Sequence, residues 1–227
     1  MIILKRVFDI MLSLFSLMML SPIMAIAAIF IKLDSEGEII FKQKRLTKDG
    51  REFWMYKFRT MVVGAEKQGA GLYNFKDDPR VTKVGAFLRK SSIDELPQLL
   101  NILFGDMSFV GPRPPVYYEL GDFDKLNEDY KARFRMKAGL TGLAQVTGRN
   151  ELEWDEKVHY DNLYIEQFKK YGIFLDIVII IKTFLRVFKM KNIYEEIPED
   201  IAGLDAEDLN AEMTRRTVDK AKGKKEE

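Results

Sequence analysis

The longest apolar stretch of the chain lies near its amino terminus. Residues Ile10 to Ile31 form a run of 22 residues without a charged side chain. At 1.5 Å per residue a helix of that length extends about 33 Å, which is enough to cross the hydrocarbon core of a bilayer. The apolar part of a cleaved signal peptide is usually shorter, roughly 7 to 15 residues. The pattern therefore predicts a membrane helix.

The charges that flank this stretch do not select one orientation across a membrane. Lys5 and Arg6 precede it and Lys32 follows it. The positive-inside bias is therefore compatible with both ends on the cytoplasmic side. A straight single crossing is the alternative that the length alone allows.

A proline at the middle of the stretch favours a helix that returns to the side it entered. Pro22 follows Ser21, and a proline inside a helix removes one backbone hydrogen bond and bends or breaks the helix. Lipid offers no water to the carbonyl that is freed, so we expect the Ser21 hydroxyl to bond it. We predict a re-entrant helix-break-helix over residues 1–33.

A β-hairpin is predicted next. Two candidate strands, Glu38–Leu46 and Arg51–Arg59, flank a tight-turn signal at Lys48 to Gly50. Alternation along the second strand puts Lys57 and Arg59 on the same face. Solvated charges on an edge strand are the alternative interpretation of these two residues.

The rest of the chain is predicted to be mostly helical. Helical patterns cover Val81–Lys90, Ser92–Phe104, Tyr117–Phe134 and Trp154–Lys170. The glycine-rich segment Gly139–Gly148 indicates a short strand or a loop. Charge dominates from Glu195 onward and aromatic residues are missing there, which indicates a mobile tail with a short helix around Asp205–Met213. The fold class is α+β, mostly helical.

A second strongly apolar helix is predicted from Ile173 to Phe188. Its polar residues fall within an arc of about 140° at 100° per residue. They are Asp176, Lys182, Thr183, Arg186 and Lys189. An amphipathic helix of this kind lies on a membrane surface rather than crossing it, and burial in a protein core is the alternative.

The composition excludes several classes of site. The formal net charge of +1 is not the basic excess of a nucleic-acid-binding protein. Cysteine is missing and His159 is the one histidine, so disulfides, iron–sulfur clusters and His-rich zinc sites are excluded. The sequence also lacks the P-loop, dinucleotide-binding and G-x-S-x-G motifs.

Two adjacent carboxylates, Asp94 and Glu95, stand at the start of a predicted helix. Ser92 and Glu95 have the spacing of a capping box, which would make them ordinary residues of a helix start. Arg89 and Lys90 precede them, however, and a helix amino terminus attracts phosphate. Asp94 is therefore a candidate for binding Mg²⁺ and for covalent phosphoryl transfer.

Two further arginines lie in turns. Arg113 stands between Pro112 and Pro114, and a stiff turn suits a guanidinium that is aimed at a phosphate. Arg149 and Asn150 follow the glycine-rich segment Gly142–Gly148, whose backbone amides are expected to be exposed. An ordinary surface turn is the alternative for Arg113, and each of the two segments is a weak signal by itself.

The order of these segments is the most specific signal in the sequence. The segments are Lys5–Asp9, the apolar run with Ser21 and Pro22, Tyr56–Met61, the Asp94-Glu95 helix, Gly105–Pro114 and Gly142–Asn150. Over roughly residues 1–190 this order resembles the monotopic phosphoglycosyl transferases, the bacterial sugar transferase family.

That resemblance implies an activity. A phospho-sugar would pass from a UDP-sugar to polyprenyl phosphate, for example undecaprenyl phosphate, with release of UMP. This is a first step of glycoconjugate assembly, such as that of an exopolysaccharide. Asp94 would be the nucleophile of a covalent phospho-sugar intermediate and would hold Mg²⁺, and Glu95 would be the second catalytic carboxylate.

The resemblance also implies binding residues and a location. Arg59, Arg89 and Arg113 would bind phosphate, although Lys is common in the family where this chain has Arg59, and Arg149 would lie near the nucleotide. Residues 1–33 would form the re-entrant helix. Residues 34–190 would form a catalytic domain on the cytoplasmic face of the bacterial inner membrane, and this domain would include the interfacial helix 173–188. Residues 191–227 would form a charged tail. The bilayer is thus an expected partner, nucleic acid is not, and a homodimer is left open.

Two alternative functions are compatible with the residues. A single-pass, membrane-anchored, metal-dependent glycosyltransferase would move the sugar alone and release UDP instead of UMP. A non-enzymatic membrane scaffold would use Asp94 and Glu95 only to cap a helix. The nucleotide product distinguishes the two enzymes, and turnover distinguishes both from the scaffold.

Overall fold

A computed structural model describes residues 1–67, 78–148, 152–189, 201, 204 and 206–223. Within them the chain is mostly helical, as predicted, and contains two small sheets. The helices are α1 (Ile2–Asp34), α2 (Lys83–Ser91), α3 (Gln98–Phe104), α4 (Glu128–Ala132), α5 (Leu143–Thr147), α6 (Trp154–Tyr171), α7 (Ile173–Lys189) and α8 (Ala206–Ala221). The strands are β1 (Ile40–Leu46), β2 (Glu52–Phe58), β3 (Met107–Val110) and β4 (Ala138–Thr141).

The amino-terminal helix α1 continues through its proline. Helical structure runs without interruption over Ile2–Asp34, so the predicted break at Ser21 and Pro22 is wrong. Pro22 cannot donate to the carbonyl of Met18, four residues earlier. The Ser21 hydroxyl donates to that carbonyl at 3.0 Å, as the sequence led us to expect, and this bond compensates for the one that proline removes. Among the described residues, α1 is the one helix long and apolar enough to cross a bilayer.

Both ends of α1 are fastened to the same folded unit. Near its start, Lys5 Nζ lies 2.5 Å from the carboxylate of Asp176 in α7, and Arg6 donates to two carbonyls at the end of α3. At its other end, the carboxylate of Asp34 accepts a hydrogen bond of 2.9 Å from the backbone N–H of Val84 in α2. The two ends of the longest apolar helix therefore meet one domain.

Helix α7 turns polar residues toward the protein and much of its apolar surface away from it. Asp176 is 1% exposed and accepts a hydrogen bond of 2.8 Å from the Tyr164 hydroxyl. Phe174, Ile181 and Phe184 are 80%, 54% and 63% exposed. A core helix normally has the opposite arrangement. The face of α7 toward the protein thus combines a buried polar group, Asp176, with apolar core residues such as Ile179, which is 1% exposed.

The predicted hairpin is confirmed. Strands β1 and β2 pair antiparallel from Ile40 opposite Phe58 to Leu46 opposite Glu52. The turn between them contains Asp49 at φ 58°, a left-handed conformation that aspartate tolerates better than most residues. One face of β2 buries Phe53 and Met55. The hairpin is thus anchored in the main core through its second strand.

The edge of β2 that does not pair with β1 forms hydrogen bonds with a side chain, that of Asn101. Asn101, which is 0% exposed in α3, accepts from the backbone N–H of Tyr56 at 3.0 Å and donates to the carbonyl of Trp54 at 2.7 Å. These two bonds hold the hairpin against α3.

Replacement of Asn101 by alanine is expected to destabilise the domain. Two partly buried backbone groups of β2 would lose their partners, and each such loss costs about 1 to 3 kcal/mol when the group is kept from water. We expect the free energy of unfolding to fall by roughly 2 to 4 kcal/mol, measured by denaturant titration in detergent. Asn162→Ala is the control, because Asn162 also donates to a carbonyl, that of Asp129, but through a hydrogen bond that is exposed to solvent. An equal loss in both variants would contradict the prediction.

The prediction of one charged helix over Tyr117–Phe134 is wrong. It contains only the short helix α4 and single 3₁₀ turns at Phe123–Lys125 and Arg133–Arg135. Gly121 adopts φ 76°, which interrupts a right-handed helix. The segment Gly139–Gly148 forms most of β4 and all of α5, so only its first part is the predicted strand.

The carboxyl-terminal helix α8 is longer than predicted and packs on the domain. Ala221 is 0% exposed in a cluster with Leu120 and Leu126. Its carbonyl accepts a hydrogen bond of 2.9 Å from Asn127 N. This part of the tail is therefore docked, contrary to the expectation of a mobile tail.

Candidate active site

A cavity of about 1400 Å³ lies between the hairpin, the end of α1, the turn that follows α2, and helices α5 and α6. Five of the six predicted site residues line it: Arg59, Arg89, Asp94, Glu95 and Arg113. The sixth, Arg149, lies outside the described residues. Residues that are far apart in the sequence thus converge on one cavity, as the resemblance implied.

Asp94 and Glu95 lie in a single 3₁₀ turn, Ile93–Glu95, between α2 and α3. Ser92 ends α2 in the left-handed conformation, at φ 57°, and makes no side-chain capping bond. The capping-box interpretation of Ser92 and Glu95 is therefore wrong. The turn instead points both carboxylates at the cavity, where Asp94 is only 8% exposed.

Glu95 is paired with two cations. Lys57 Nζ lies 3.0 Å from Glu95 Oε1, and the two side chains are 17% and 16% exposed. Arg113 Nη1 lies 3.8 Å from the same oxygen. Burial lowers the pKa of Lys57, and the negative charges of Glu95 and Asp94 oppose that shift. Lys57 is thus a cation of the cavity and not a solvated charge of an edge strand.

Arg113 projects from a turn whose backbone is bonded on several sides. Four consecutive carbonyls, from Pro112 to Pro115, each accept a hydrogen bond. The donors, in order, are Gly139 N at 2.9 Å, Arg133 Nη2 at 2.7 Å, Arg45 Nη1 at 2.8 Å and Leu46 N at 3.0 Å. Prolines have no N–H to donate, so these carbonyls provide the attachment. The Arg113 side chain itself is 43% exposed and extends from a fixed base.

Arg59 and Arg89 lie on the side of the cavity nearest to α1. Arg89 Nε donates to the Thr60 hydroxyl at 2.8 Å. Arg59 Nη2 donates to the carbonyl of Ser35 at 2.7 Å and contacts the carbonyl of Ile31 at 3.4 Å, so this guanidinium caps the carboxyl end of α1. Arg59 therefore joins the long apolar helix to the strand that carries Lys57.

The lining of the cavity also includes a buried ion pair that the sequence did not reveal. Arg133 Nη2 lies 2.7 Å from Asp161 Oδ2, with both side chains 2% exposed. Burial raises the pKa of Asp161 to about 6, and the charge of Arg133 opposes the shift. The Arg133 guanidinium also lies 5.2 Å from the centre of the Trp154 ring. The sequence carried no signal for this pair, because its members are 28 positions apart.

Two other residues that line the cavity, Lys57 and Arg45, were not predicted as site residues. Lys57 had a usable signal, since strand alternation places it on the face of Phe53 and Met55, which is buried. Arg45 had none, because its bond to the Pro114 carbonyl depends on tertiary structure. Desolvation lowers the pKa of Arg45 to about 10, a value at which it stays charged at neutral pH.

The charges of the cavity suit a substrate with a diphosphate. Lys57, Arg89 and Arg113 supply positive charge, and arginine binds phosphate oxygens in bidentate geometry. The described residues contain no group of three or more His, Asp or Glu side chains that could hold a metal ion alone. Mg²⁺ is commonly held by one or two carboxylates together with substrate phosphates. The donor set of Asp94 and its neighbours therefore fits Mg²⁺ that arrives with a phosphorylated substrate.

The chain is similar to known transferases. Residues 1–190 match the family model described as bacterial sugar transferase. The UDP-glucose:undecaprenyl-phosphate glucose-1-phosphate transferase of Klebsiella pneumoniae is 42% identical over 195 residues, which cover 84% of this chain and 41% of that protein. The undecaprenyl-phosphate galactose phosphotransferase of Salmonella typhimurium is 38% identical over 205 residues, covering 84% and 42%.

A shorter relative matches over most of its length. The exopolysaccharide production protein ExoY of Sinorhizobium fredii is 38% identical over 193 residues, which cover 79% of this chain and 83% of that protein. By contrast, the chain spans only about two fifths of the Klebsiella and Salmonella relatives. The family match covers α1 to α7 and every described residue that lines the cavity. The chain therefore belongs to the bacterial sugar transferase family.

Proposed function

We propose that the chain transfers a phospho-sugar from a UDP-sugar to a polyprenyl phosphate, forming a polyprenyl-diphosphate-sugar and UMP. The observation that carries the proposal is the convergence of Asp94, Glu95, Lys57 and Arg113 on one cavity in a chain of this family. The names of the two long relatives support undecaprenyl phosphate as the acceptor and a hexose 1-phosphate as the transferred group.

The proposed reaction has two steps at Asp94. A carboxylate oxygen of Asp94 attacks the phosphorus that carries the sugar, the bond from that phosphorus to the UMP oxygen breaks, and UMP leaves with the bonding electrons. A phosphate oxygen of the lipid acceptor then attacks the same phosphorus and releases the Asp94 carboxylate. Two steps allow a soluble donor and a lipid acceptor to use one site in turn.

The other residues of the cavity assist through charge and position. Arg113 and Lys57 offset the negative charge of the phosphoryl oxygens, which otherwise repel the attacking carboxylate. Glu95 holds both cations beside Asp94. Mg²⁺, held by Asp94 and the diphosphate, would supply further neutralisation of phosphate charge. Arg89 lies on the α1 side, within the same cavity.

We propose a re-entrant arrangement at the cytoplasmic face of a bacterial inner membrane, in which the continuous helix α1 bends at Pro22 without ending there. Both ends of α1 contact one domain, which a helix ending on opposite sides of a bilayer could not do with a domain on one side. Outward-facing apolar residues of α1, such as Phe15 and Met18, are 58% and 69% exposed, and lipid would cover them. The exposed apolar face of α7 would lie in the interface of the same leaflet.

A nucleotide-release assay tests the proposed function. The protein in detergent or nanodiscs is incubated with a panel of UDP-sugars, undecaprenyl phosphate and Mg²⁺, and the nucleotide product is identified by chromatography. We expect UMP with one donor and none after chelation by EDTA, with recovery when Mg²⁺ is added back. Release of UDP would favour the glycosyltransferase alternative, and failure of every donor would favour the scaffold.

A charge on the outer face of α7 is expected to weaken membrane association. Phe184→Asp places a carboxylate where a 63% exposed ring now stands, and burying a charge in the interface is unfavourable. We expect a several-fold larger fraction of the protein in the carbonate-washed supernatant, measured by quantitative blotting. His159→Asp, on the exposed side of α6, is the control and should stay with the membrane. Equal release of both variants would contradict an interfacial role for α7.

A further inference from the structure

The buried pair of Arg133 and Asp161 makes a direct contact with the turn that carries Arg113. Arg133 Nη2 donates to the Arg113 carbonyl at 2.7 Å and lies 2.7 Å from Asp161 Oδ2. Arg133 Nε donates to the same carboxylate oxygen at 3.0 Å. Asp161 belongs to α6, so this helix orients the guanidinium, and the guanidinium in turn orients the backbone of Arg113.

Stability alone is a poor explanation of this pair. Removing two charges from water is costly, and apolar replacements of a buried ion pair are often neutral or stabilising. Within the described part of the chain, Arg133 Nη1 and Asp161 Oδ1 are buried and have no hydrogen-bond partner. The pair is therefore incompletely satisfied. The specific effect of the pair is to hold one carbonyl, that of Arg113, in a fixed position.

That carbonyl belongs to a cation of the proposed active site. Arg113 Nη1 lies 3.8 Å from Glu95 Oε1, so its position is set both at the backbone and at the guanidinium. The side chain is long and 43% exposed, and a shift at its base changes where the guanidinium fork lies. Misplacement of a catalytic group by about 1 Å is enough to cost roughly 100-fold in rate.

We infer that Arg133, oriented by Asp161, is a positioning residue that fixes the backbone of Arg113 so that the Arg113 guanidinium meets the diphosphate of the donor. The inference rests on the proposed function for the identity of the ligand. Arg133 itself is not assigned a contact with substrate. Its effect passes through Arg113.

A double-mutant cycle tests this coupling. Arg133→Met removes the guanidinium and keeps an unbranched side chain, and it is combined with Arg113→Ala. We expect Arg133→Met to weaken UDP binding and to lower kcat/KM for the UDP-sugar by about tenfold when Arg113 is present. In the Arg113→Ala background the same change should alter both by less than about twofold. Equal effects in both backgrounds would overturn the inference.

Two further variants separate positioning from folding. Arg133→Met with Asp161→Leu removes both buried charges, so a folded domain is expected even if the single variant unfolds, and its UDP affinity should show the same dependence on Arg113. Tyr130→Phe is the matched control, because it deletes a hydrogen bond of 2.8 Å to Asp155 between α4, which directly precedes Arg133, and α6, without touching Arg113. It should leave UDP affinity and kcat/KM within about twofold. A comparable loss in Tyr130→Phe would show that packing alone explains the effect.

The measurement of UDP affinity distinguishes a failure of this inference from a failure of the proposed function. If wild-type protein binds UDP but releases no UMP from any donor, the proposed transfer fails while the cycle of UDP affinities still decides whether Arg133 acts through Arg113. If wild-type protein releases UMP and the cycle shows no coupling, only the positioning role fails. If wild-type protein neither binds UDP nor turns over, both fail.

Discussion

Asp94→Asn is expected to lower UMP release by at least about 1,000-fold, since an amide oxygen is a poor nucleophile at phosphorus and removal of a nucleophile usually costs that much or more. The substitution keeps the size of a side chain that is 8% exposed in the cavity wall. Membrane association should stay unchanged, because the contacts that fasten α1 involve Lys5, Arg6 and Asp34. The measurement is UMP release under saturating donor and acceptor.

The same variant also tests for the covalent intermediate. Wild-type protein incubated with the UDP-sugar and no lipid acceptor should gain the mass of one phospho-sugar at Asp94, and the variant should gain none. Asp106→Asn is the matched control, since Asp106 pairs with Arg51 at the surface, 2.9 Å away, and should keep wild-type activity. UMP release by Asp94→Asn at the wild-type rate would refute its assignment as the nucleophile.

Glu95→Gln is expected to lower activity by about 100-fold, the usual scale for losing preorganised charge in an active site. Gln keeps the shape of the side chain but removes the charge that holds Lys57 at 3.0 Å and Arg113 at 3.8 Å. The effect should depend on pH. Burial lowers the pKa of Lys57 and Glu95 raises it, so the variant lowers that pKa further, and Lys57 loses its proton more readily as the pH rises.

The deficit of Glu95→Gln relative to wild type should therefore grow from pH 6 to pH 9 in the UMP-release assay. Glu52→Gln provides the comparison, because Glu52 pairs with Lys44 at a similar distance, 2.9 Å, but the two side chains are 48% and 41% exposed. An exposed pair contributes little, and this variant should stay within about twofold of wild type at every pH. A deficit of Glu95→Gln that does not change with pH would contradict the link to Lys57.

Much of the candidate site could be predicted because the order of the short motifs along the chain can be recognised from one sequence. Asp94, Glu95, Arg89 and Arg113 line one cavity, as the resemblance implied. Ser21 bonds the carbonyl that Pro22 leaves without a donor, and this local relation is contained in the five residues from Met18 to Pro22. The capping-box spacing of Ser92 and Glu95 was misleading, because Ser92 takes a left-handed conformation in which its side chain makes no capping bond.

Two other cations of the site, Arg45 and Arg133, could not be predicted from local sequence patterns. Arg45 and Arg133 reach the Arg113 turn from positions 69 and 20 residues away. Their side chains look like ordinary surface charges in a sequence, and only packing removes them from water. The long helix predicted over Tyr117–Phe134 failed for a related reason, since this segment gains more from wrapping the core with Leu120, Leu126 and Phe134, all buried, than from helix propensity.

The sequence by itself determined what short-range physics controls: the length of the apolar helix α1, the hairpin with its tight turn, the polar arc of α7, and the identity of the carboxylates. Tertiary structure alone decided that both ends of α1 meet one domain, that Glu95 pairs with Lys57, and that a buried arginine fixes the base of Arg113. The physical reason is that periodicity and turn propensity act between neighbours in the chain. The pairing of buried charges depends on which distant segments share a region from which water is excluded.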